Sequence, residues 1–145
     1  ISAFQTVTLQ ESAMEPTYSV SEKFFVNRAL YKISSPKRGD VIVFKTSASD
    51  SAALHIPRVI VLPGETVQVK DGKIYINGKV YEENGAYQDM TDGGLANSAI
   101  TLESGEYFVL GDNRNNSEDS RFSDIGNISK KYIIGKVWFT VSPKN

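Results

Sequence analysis

Few side chains of this sequence could serve as a nucleophile or a general base. The chain has no cysteine and one histidine, His55, so thiol catalysis, thiolate metal sites and disulfides are excluded. Ser12 and His55 could form a serine–histidine pair, although a lone histidine in a polar loop is more often only solvated. Lys23 and Lys45 are further candidate bases, but lysines at strand ends usually face solvent. No histidine pair or carboxylate cluster has metal-ligand spacing, so the sequence predicts neither a metal nor another cofactor.

Three segments carry patterns that could build a catalytic site. They are residues 12–17 (Ser-Ala-Met-Glu-Pro-Thr), 58–65 (Arg-Val-Ile-Val-Leu-Pro-Gly-Glu) and 111–121 (Gly-Asp-Asn-Arg-Asn-Asn-Ser-Glu-Asp-Ser-Arg). Together with residues 37–45 they resemble the motifs of the type I signal peptidases, the membrane-bound serine proteases that remove secretory signal peptides. The resemblance extends over residues 10–141, and its last motif is long and specific.

The resemblance implies a serine/lysine dyad at two positions of this chain. The family's nucleophile directly precedes the methionine of the first motif, and here that residue is Ala13. Its general-base lysine directly precedes the arginine of the second motif, and here that residue is Pro57. Glu11 occupies the oxyanion region, where an ionised carboxylate would repel the developing charge, or it is an exposed residue beside a cleft. Ser117 matches the serine that orients the lysine. We therefore predict that no catalytic set is intact and that this chain is not an enzyme.

The retained polar residues of the last motif favour a structural role. Asp112, Arg114, Asp119 and Arg121 are predicted to form one hydrogen-bonded network that fixes an irregular loop. Arginine suits such a network because its planar fork can bind carboxylates through two parallel hydrogen bonds.

Two functions are compatible with these residues. The first is a non-proteolytic assembly factor or chaperone that binds extended peptide in a vestigial groove by adding it to sheet edges. This interpretation resembles the altered signal peptidase homologues that assist pilin polymerisation by sortase in Gram-positive bacteria, so its partners would be an extended peptide or pilin subunit, and sortase. The predicted groove residues are Val7, Leu9, Met14 and Ile56. The alternative is an active type I signal peptidase with an altered nucleophile, or one that uses unassigned groups.

The elements that must position these segments are mainly strands. Apolar alternation and continuous apolar runs predict strands over residues 4–9, 23–27, 41–44, 58–62, 66–70, 73–76, 79–81, 106–110, 132–134 and 137–141. Asp71-Gly72 and Asn77-Gly78 are typical of two-residue hairpin turns. Residues 82–98 indicate a long loop or flap, and residues 128–131 one helical turn.

The predicted fold is therefore mainly β, a signal-peptidase-like arrangement of antiparallel sheets with a small β insert and little helix. We assign residues 1–70 and 105–145 to the core domain and residues 71–104 to a hairpin-and-loop insert. The formal net charge of −1 shows no electrostatic footprint for nucleic acid. Because the family carries a membrane anchor before its first motif, the resemblance implies a single-pass anchor ahead of Ile1 and a domain on the extracytoplasmic face.

Overall fold

The computed structural model describes residues 3–49 and 51–141, and the fold is mainly β, as predicted. The strands are β1 (Phe4–Thr8), β2 (Lys23–Asn27), β3 (Ile42–Lys45), β4 (Leu54–His55), β5 (Arg58–Val61), β6 (Thr66–Lys70), β7 (Lys73–Ile76), β8 (Lys79–Val80), β9 (Ile100–Thr101), β10 (Glu106–Leu110), β11 (Ile128–Ser129) and β12 (Ile133–Thr140). One short helix, α1 (Leu30–Ile33), and two 3-10 turns, Gly94–Asn97 and Lys130–Tyr132, complete the regular structure of these ranges.

The largest sheet is antiparallel and has the order β1-β2-β12-β3-β4. Side chains alternate across β2, where Phe24 and Val26 are fully buried and Lys23 is exposed, so one face of the sheet covers a core. The sheet ends at β1 on one side and at β4 on the other. Residues of both end strands line one shared groove, so the sheet curls until its two edges approach each other.

Two smaller sheets pack beside it. One has the order β11-β10-β5, and the other has the order β8-β7-β6-β9. In the β6–β7 hairpin Asp71 and Gly72 both have positive φ angles, 52° and 76°, which is the geometry predicted for this two-residue turn. Because β6 belongs to the last sheet, that sheet extends beyond the predicted insert, residues 71–104. The division into two domains stays a prediction.

Buried apolar residues bring the motif segments together. One core cluster joins Met14 of the first segment, and Val7 and Leu9 before it, to Ile56, which directly precedes Pro57. A second cluster joins Val59 of β5 to residues of β3 and β10. The segments before and after Ala13 are therefore packed against Ile56, in the short connection between β4 and β5 that includes position 57.

The C-terminal part differs from the sequence prediction in two respects. Residues 132–134 and 137–141 were expected to form separate strands, but one strand, β12, runs through both because the intervening Gly135 and Lys136 are themselves paired with β3, and Lys136 also with β2. Gly135 permits this, since an added Cβ would meet the carbonyl oxygen of Asn27. The helical turn expected over residues 128–131 is instead β11 followed by a 3-10 turn. Helix α1 was not predicted, because four residues carry too short a periodic signal.

Candidate active site and peptide groove

The loop that carries Ala13 is closed at its base and packed into the domain. The amide of Leu9 donates to the carbonyl of Glu22 at 2.8 Å, and the amide of Ser21 donates back to the carbonyl of Leu9 at 2.8 Å. Met14 is completely buried and Ala13 is 8% exposed. The backbone at position 13 is consequently held in place, with little of its side chain open to solvent.

A second loop, residues 111–116, fixes the backbone of this first loop. Asn113 donates its amide to the carbonyl of Ala13 at 2.8 Å and its side-chain Nδ2 to the carbonyl of Ser12 at 3.1 Å. Asn116 Nδ2 donates to Ser12 Oγ at 3.0 Å. Gly111 is required at this contact, because an added Cβ would lie 2.6 Å from the carbonyl oxygen of Ala13 and closer still to Ser117 Oγ. Ser12, Ala13 and Ser117 therefore converge around Gly111.

A buried ion pair joins these two loops to the strand that follows position 57. Arg58 binds Asp112 through two hydrogen bonds, from Nε at 2.9 Å and from Nη2 at 2.8 Å. Thr17 Oγ1 donates to the same carboxylate at 2.6 Å. The Asp112 side chain has no exposed surface, and its hydrogen bonds raise the pKa of Arg58, which keeps the guanidinium charged. This contact links three segments that lie far apart in the sequence.

Three of the four residues of the predicted network are connected, and Asp112 is bound elsewhere. Asp112 pairs with Arg58 and makes no ion pair with Arg114, whose guanidinium binds Glu83 at 2.6 and 2.7 Å. Glu83, in the predicted flap, accepts hydrogen bonds from both terminal nitrogens of Arg114. Sequence reasoning missed Glu83, because a glutamate in a polar loop carries no signal of its partner.

Asp119 and Arg121 bind each other directly, and Arg121 joins them to Arg114. Arg121 donates to Asp119 through Nε at 2.9 Å and through Nη2 at 3.0 Å, and Nη2 also donates to the carbonyl of Arg114 at 2.6 Å. Ser117 Oγ donates to Asp119 Oδ2 at 2.9 Å, and the amide of Gly111 donates to the same oxygen at 3.1 Å. The carboxylate therefore holds the serine that the resemblance marks as base-orienting.

The structure places Pro57 in the interior beside β3. Its carbonyl accepts a hydrogen bond from the amide of Ile42 at 3.0 Å, and the ring is buried. Neither Pro57 nor Ala13 offers a group that can carry a proton or attack a carbonyl. Ser12 and Arg58 are the polar residues adjacent in sequence to these positions, and Glu11 and His55 lie two residues before them.

Glu11 and His55 are brought together at the rim of the site. Glu11 Oε1 lies 2.9 Å from His55 Nδ1, which is ion-pair distance when the imidazole is protonated. Nδ1 is buried and has no hydrogen-bond partner among the described residues, because its angles to the carboxylate do not meet those of a hydrogen bond. The contact is therefore electrostatic only. The imidazole stacks on Phe44 with ring centroids 5.3 Å apart. His55 thus lies in β4 and is largely covered, whereas the sequence favoured a solvated loop residue.

A groove of about 500 Å³ runs between the edge of β1 and the edge of β4. Val7, Leu9 and Ile56 line it, together with Glu11 at the end nearest Ala13. Met14 does not line it. Its side chain is fully buried, and its sulfur accepts a hydrogen bond from the amide of Asp112 at 3.3 Å, so the predicted groove role of Met14 needs correction: it supports the groove from below.

Two other kinds of site are not observed. No group of three or more histidine, aspartate or glutamate side chains in residues 3–49 and 51–141 is arranged to bind a metal ion. Over the same ranges, no helix has the length and apolar character that crossing a membrane requires.

Comparisons with known proteins match this geometry. A family model described as "Signal peptidase, peptidase S26" covers residues 1–142. The chain belongs to this family. This chain is 35% identical to "Signal peptidase I T" of Bacillus subtilis (strain 168), over 98% of its own length and 76% of that protein. It is 38% identical to "Signal peptidase I" of Leptolyngbya laminosa, over 94% of its length and 68% of that protein.

The S26 fold is also found in a solved structure. The crystal structure of a signal peptidase I from Enterococcus faecalis V583 has a TM-score of 0.55 and 31% identity, with 73% of this chain and 99% of that chain covered. The mainly β fold predicted from the motifs is thereby confirmed. A further relative, "Probable signal peptidase I-2" of Synechocystis, is 32% identical, and this chain spans 62% of the length of that relative.

These relatives contradict the prediction that the chain is not an enzyme. Proteins 32–38% identical to it are named signal peptidase I, which is the name of an enzyme. The prediction rested on the residues at three positions of one mechanism, Ala13, Pro57 and Glu11, and residue identities at these positions did not determine the class of the protein. None of the names above refers to pilus assembly, so the pilin-assembly role receives no support from them.

Proposed function

We propose that this domain acts as a type I signal peptidase, a serine endopeptidase that removes signal peptides, with an altered residue at the nucleophile position. One observation carries the proposal: residues 5–11 line the groove between β1 and β4, so its wall continues to within two residues of Ala13. A segment lying in this groove would present a peptide bond to the place where the family's serine stands.

The walls of the groove suit an extended peptide. Both β1 and β4 are the last strands of their sheet, so each has backbone N–H and C=O groups that no further strand of the described sheet pairs. An extended segment between them can form main-chain hydrogen bonds with both edges, which is the β-augmentation mode of peptide recognition. The apolar side chains of Val7, Leu9 and Ile56 offer shallow contacts for small side chains.

The end of the groove has the supports of a hydrolytic site. The Ser12–Ala13 backbone is held by Asn113, and Ser117 is held by Asp119. A serine at position 13 would take its place on a backbone that is already fixed, and a lysine at position 57 would keep the carbonyl bond to Ile42. Neither backbone hydrogen bond depends on the side chain now present at position 13 or 57.

The test is to restore the dyad and measure cleavage. Ala13→Ser/Pro57→Lys should cleave a preprotein at one site, following small residues, at least about 10³-fold faster than the parent chain, since a serine nucleophile alone is worth roughly 10⁶ in a serine protease. Ser117→Ala in the restored background should slow the reaction, because it removes the group beside the base. A folded double variant that binds the peptide and leaves it uncut would refute the proposal.

Ser12 and His55 provide the matched comparison in the parent chain. If they supply the chemistry, Ser12→Ala and His55→Gln should each abolish any cleavage by the parent. If the position-13 assignment is correct, neither substitution should reduce cleavage by the restored double variant by more than a few-fold.

The cellular setting follows from the same proposal. Its substrate is the extended segment of an exported protein, and a pilin subunit passed on to sortase is one such client to assay. The proposal places the domain on the extracytoplasmic face of a membrane, tethered by an anchor. Protease accessibility of the native protein in intact cells tests this placement, and protection inside the cell would contradict it.

A further inference from the structure

A second cleft, of about 860 Å³, opens at the far end of the groove. Gln5 of β1 and Leu54 of β4 line both the groove and this cleft, so the two spaces are continuous. Gln5 lies eight residues before Ala13 in the sequence. The second cleft is therefore placed to contact the end of a bound segment that is remote from Ala13.

The lining of this second cleft is strongly basic. Its cationic side chains are Arg28, Lys32, Lys45, Lys130 and Lys131, and no described residue that lines it is acidic. The whole chain has a formal net charge of −1, so this concentration of positive charge is a local feature and does not follow from the composition. We call this space the basic cleft.

Several of these cations have no carboxylate partner. Arg28 and Lys32 make no ion pair or side-chain hydrogen bond with the described residues. Lys130 Nζ donates to the carbonyl of Ser34 at 3.0 Å, and Lys131 lies over the ring of Tyr132, 5.1 Å from its centroid. The backbone carbonyl and the tyrosine ring are uncharged partners, so they hold the two lysine side chains in place without cancelling the positive charge.

The backbone around the basic cleft is ordered by local hydrogen bonds. Asn27 Oδ1 accepts from the amides of Ala29 and Leu30 at 2.9 and 3.1 Å, which starts helix α1 and fixes Lys32 within it. Lys130 ties the 3-10 turn before β12 to the residue after α1. Arg28 before α1, Lys32 within it, and Lys130 and Lys131 of the 3-10 turn thus line one space.

We propose that the basic cleft binds an acidic group of the same extended segment that occupies the groove. This inference rests on the proposed function and adds a preference for the substrate's distal charge. An extended strand advances about 3.3 Å per residue, so the acidic group should lie roughly six to eight residues from the residue that faces Ala13. Charge complementarity at this distance would favour segments with Asp or Glu there and would speed their encounter with the groove.

Synthetic peptides and charge-reversed variants test the proposal. Three peptides share small, uncharged residues in the middle and carry either two Glu residues at the N-terminal end, two at the C-terminal end, or Gln at all four positions. One of the two acidic peptides should bind the parent chain roughly fivefold more tightly than the Gln peptide, since exposed ion pairs contribute free energies of that size. Lys32→Glu/Lys131→Glu should abolish that difference and leave the Gln peptide's affinity unchanged. Both residues are exposed, so the fold should tolerate the changes.

Lys79→Glu is the matched control, because Lys79 is exposed on β8, away from both clefts. It should leave the preference for the acidic peptide intact, and 1 M salt should abolish that preference, since the screening length falls to about 3 Å. Equal affinity for acidic and Gln peptides would overturn the role of the basic cleft alone. If none of the peptides bound, the groove proposal would fail as well. Charge-independent peptide binding, with Lys32- and Lys131-dependent binding of phosphatidylglycerol vesicles, would assign the cleft to a membrane surface instead.

Discussion

Replacing Arg58 by methionine tests whether the buried ion pair with Asp112 organises the site. Methionine keeps most of the apolar stem and removes both hydrogen bonds to the carboxylate. Asp112, with no exposed side-chain surface, would retain only the bond from Thr17. Breaking one side of a buried pair costs about 3–5 kcal/mol, and because Arg58 is 19% exposed and water can reach the gap, we expect about 3 kcal/mol.

Arg38→Met provides the matched control. Arg38 binds Glu65 through two hydrogen bonds of 2.7 and 2.8 Å, but the two side chains are 27% and 20% exposed. Solvent screening should limit that loss to about 1 kcal/mol. Urea unfolding followed by circular dichroism gives both free energies, and Arg58→Met/Asp112→Leu should recover at least half of the single-variant loss. The reasoning is refuted if Arg58→Met costs no more than Arg38→Met.

Three further outcomes are expected. Gly111→Ala should lower the free energy of unfolding by about 1–3 kcal/mol and weaken peptide binding, since the new methyl would meet Ala13 and Ser117; calorimetry and a binding titration measure the two effects. Met14→Asp should unfold the domain or cost at least about 3 kcal/mol, because it buries an unpaired carboxylate; a melting curve near that of the parent would contradict the burial of Met14. Hydrogen bonding to Arg38 lowers the pKa of Glu65 from its ordinary value of about 4.5. The ion pair therefore contributes fully to the free energy of unfolding above about pH 4.5, and this contribution is lost as the pH falls below that value. Arg38→Met should flatten this acid loss of stability, as measured by urea unfolding between pH 6 and 3.

The strands could be predicted from the sequence wherever their signals are local. Residues 66–70 and 73–76 alternate with period two around Asp71-Gly72, and both the strands and the turn agree with the structure. The path of residues 132–141 could not be predicted in the same way. Its continuity as one strand depends on the approach of Asn27 to Gly135, a contact between segments more than a hundred residues apart.

The sequence was enough to predict which segments form the site, but not which side chains of those segments contact each other. The motifs located Ala13, Pro57 and Ser117, yet the choice of carboxylate for each arginine depends on three-dimensional packing. Asp112 takes Arg58, 54 residues away, and Arg114 takes Glu83. Burial raised a similar difficulty, since Met14 and Ile56 are both apolar neighbours of motif positions but only Ile56 reaches the groove.

The two facing edges of the curled sheet also bear on how this protein behaves in a crowded solution. An unpaired strand edge is a template for aggregation, because any extended chain can pair with it. Here β1 and β4 face each other across a groove of about 500 Å³. To pair with either strand, the edge of another folded sheet would have to enter this groove beside the opposite edge. We therefore expect the geometry that leaves these strands open to an extended client to hinder their pairing with a second folded sheet.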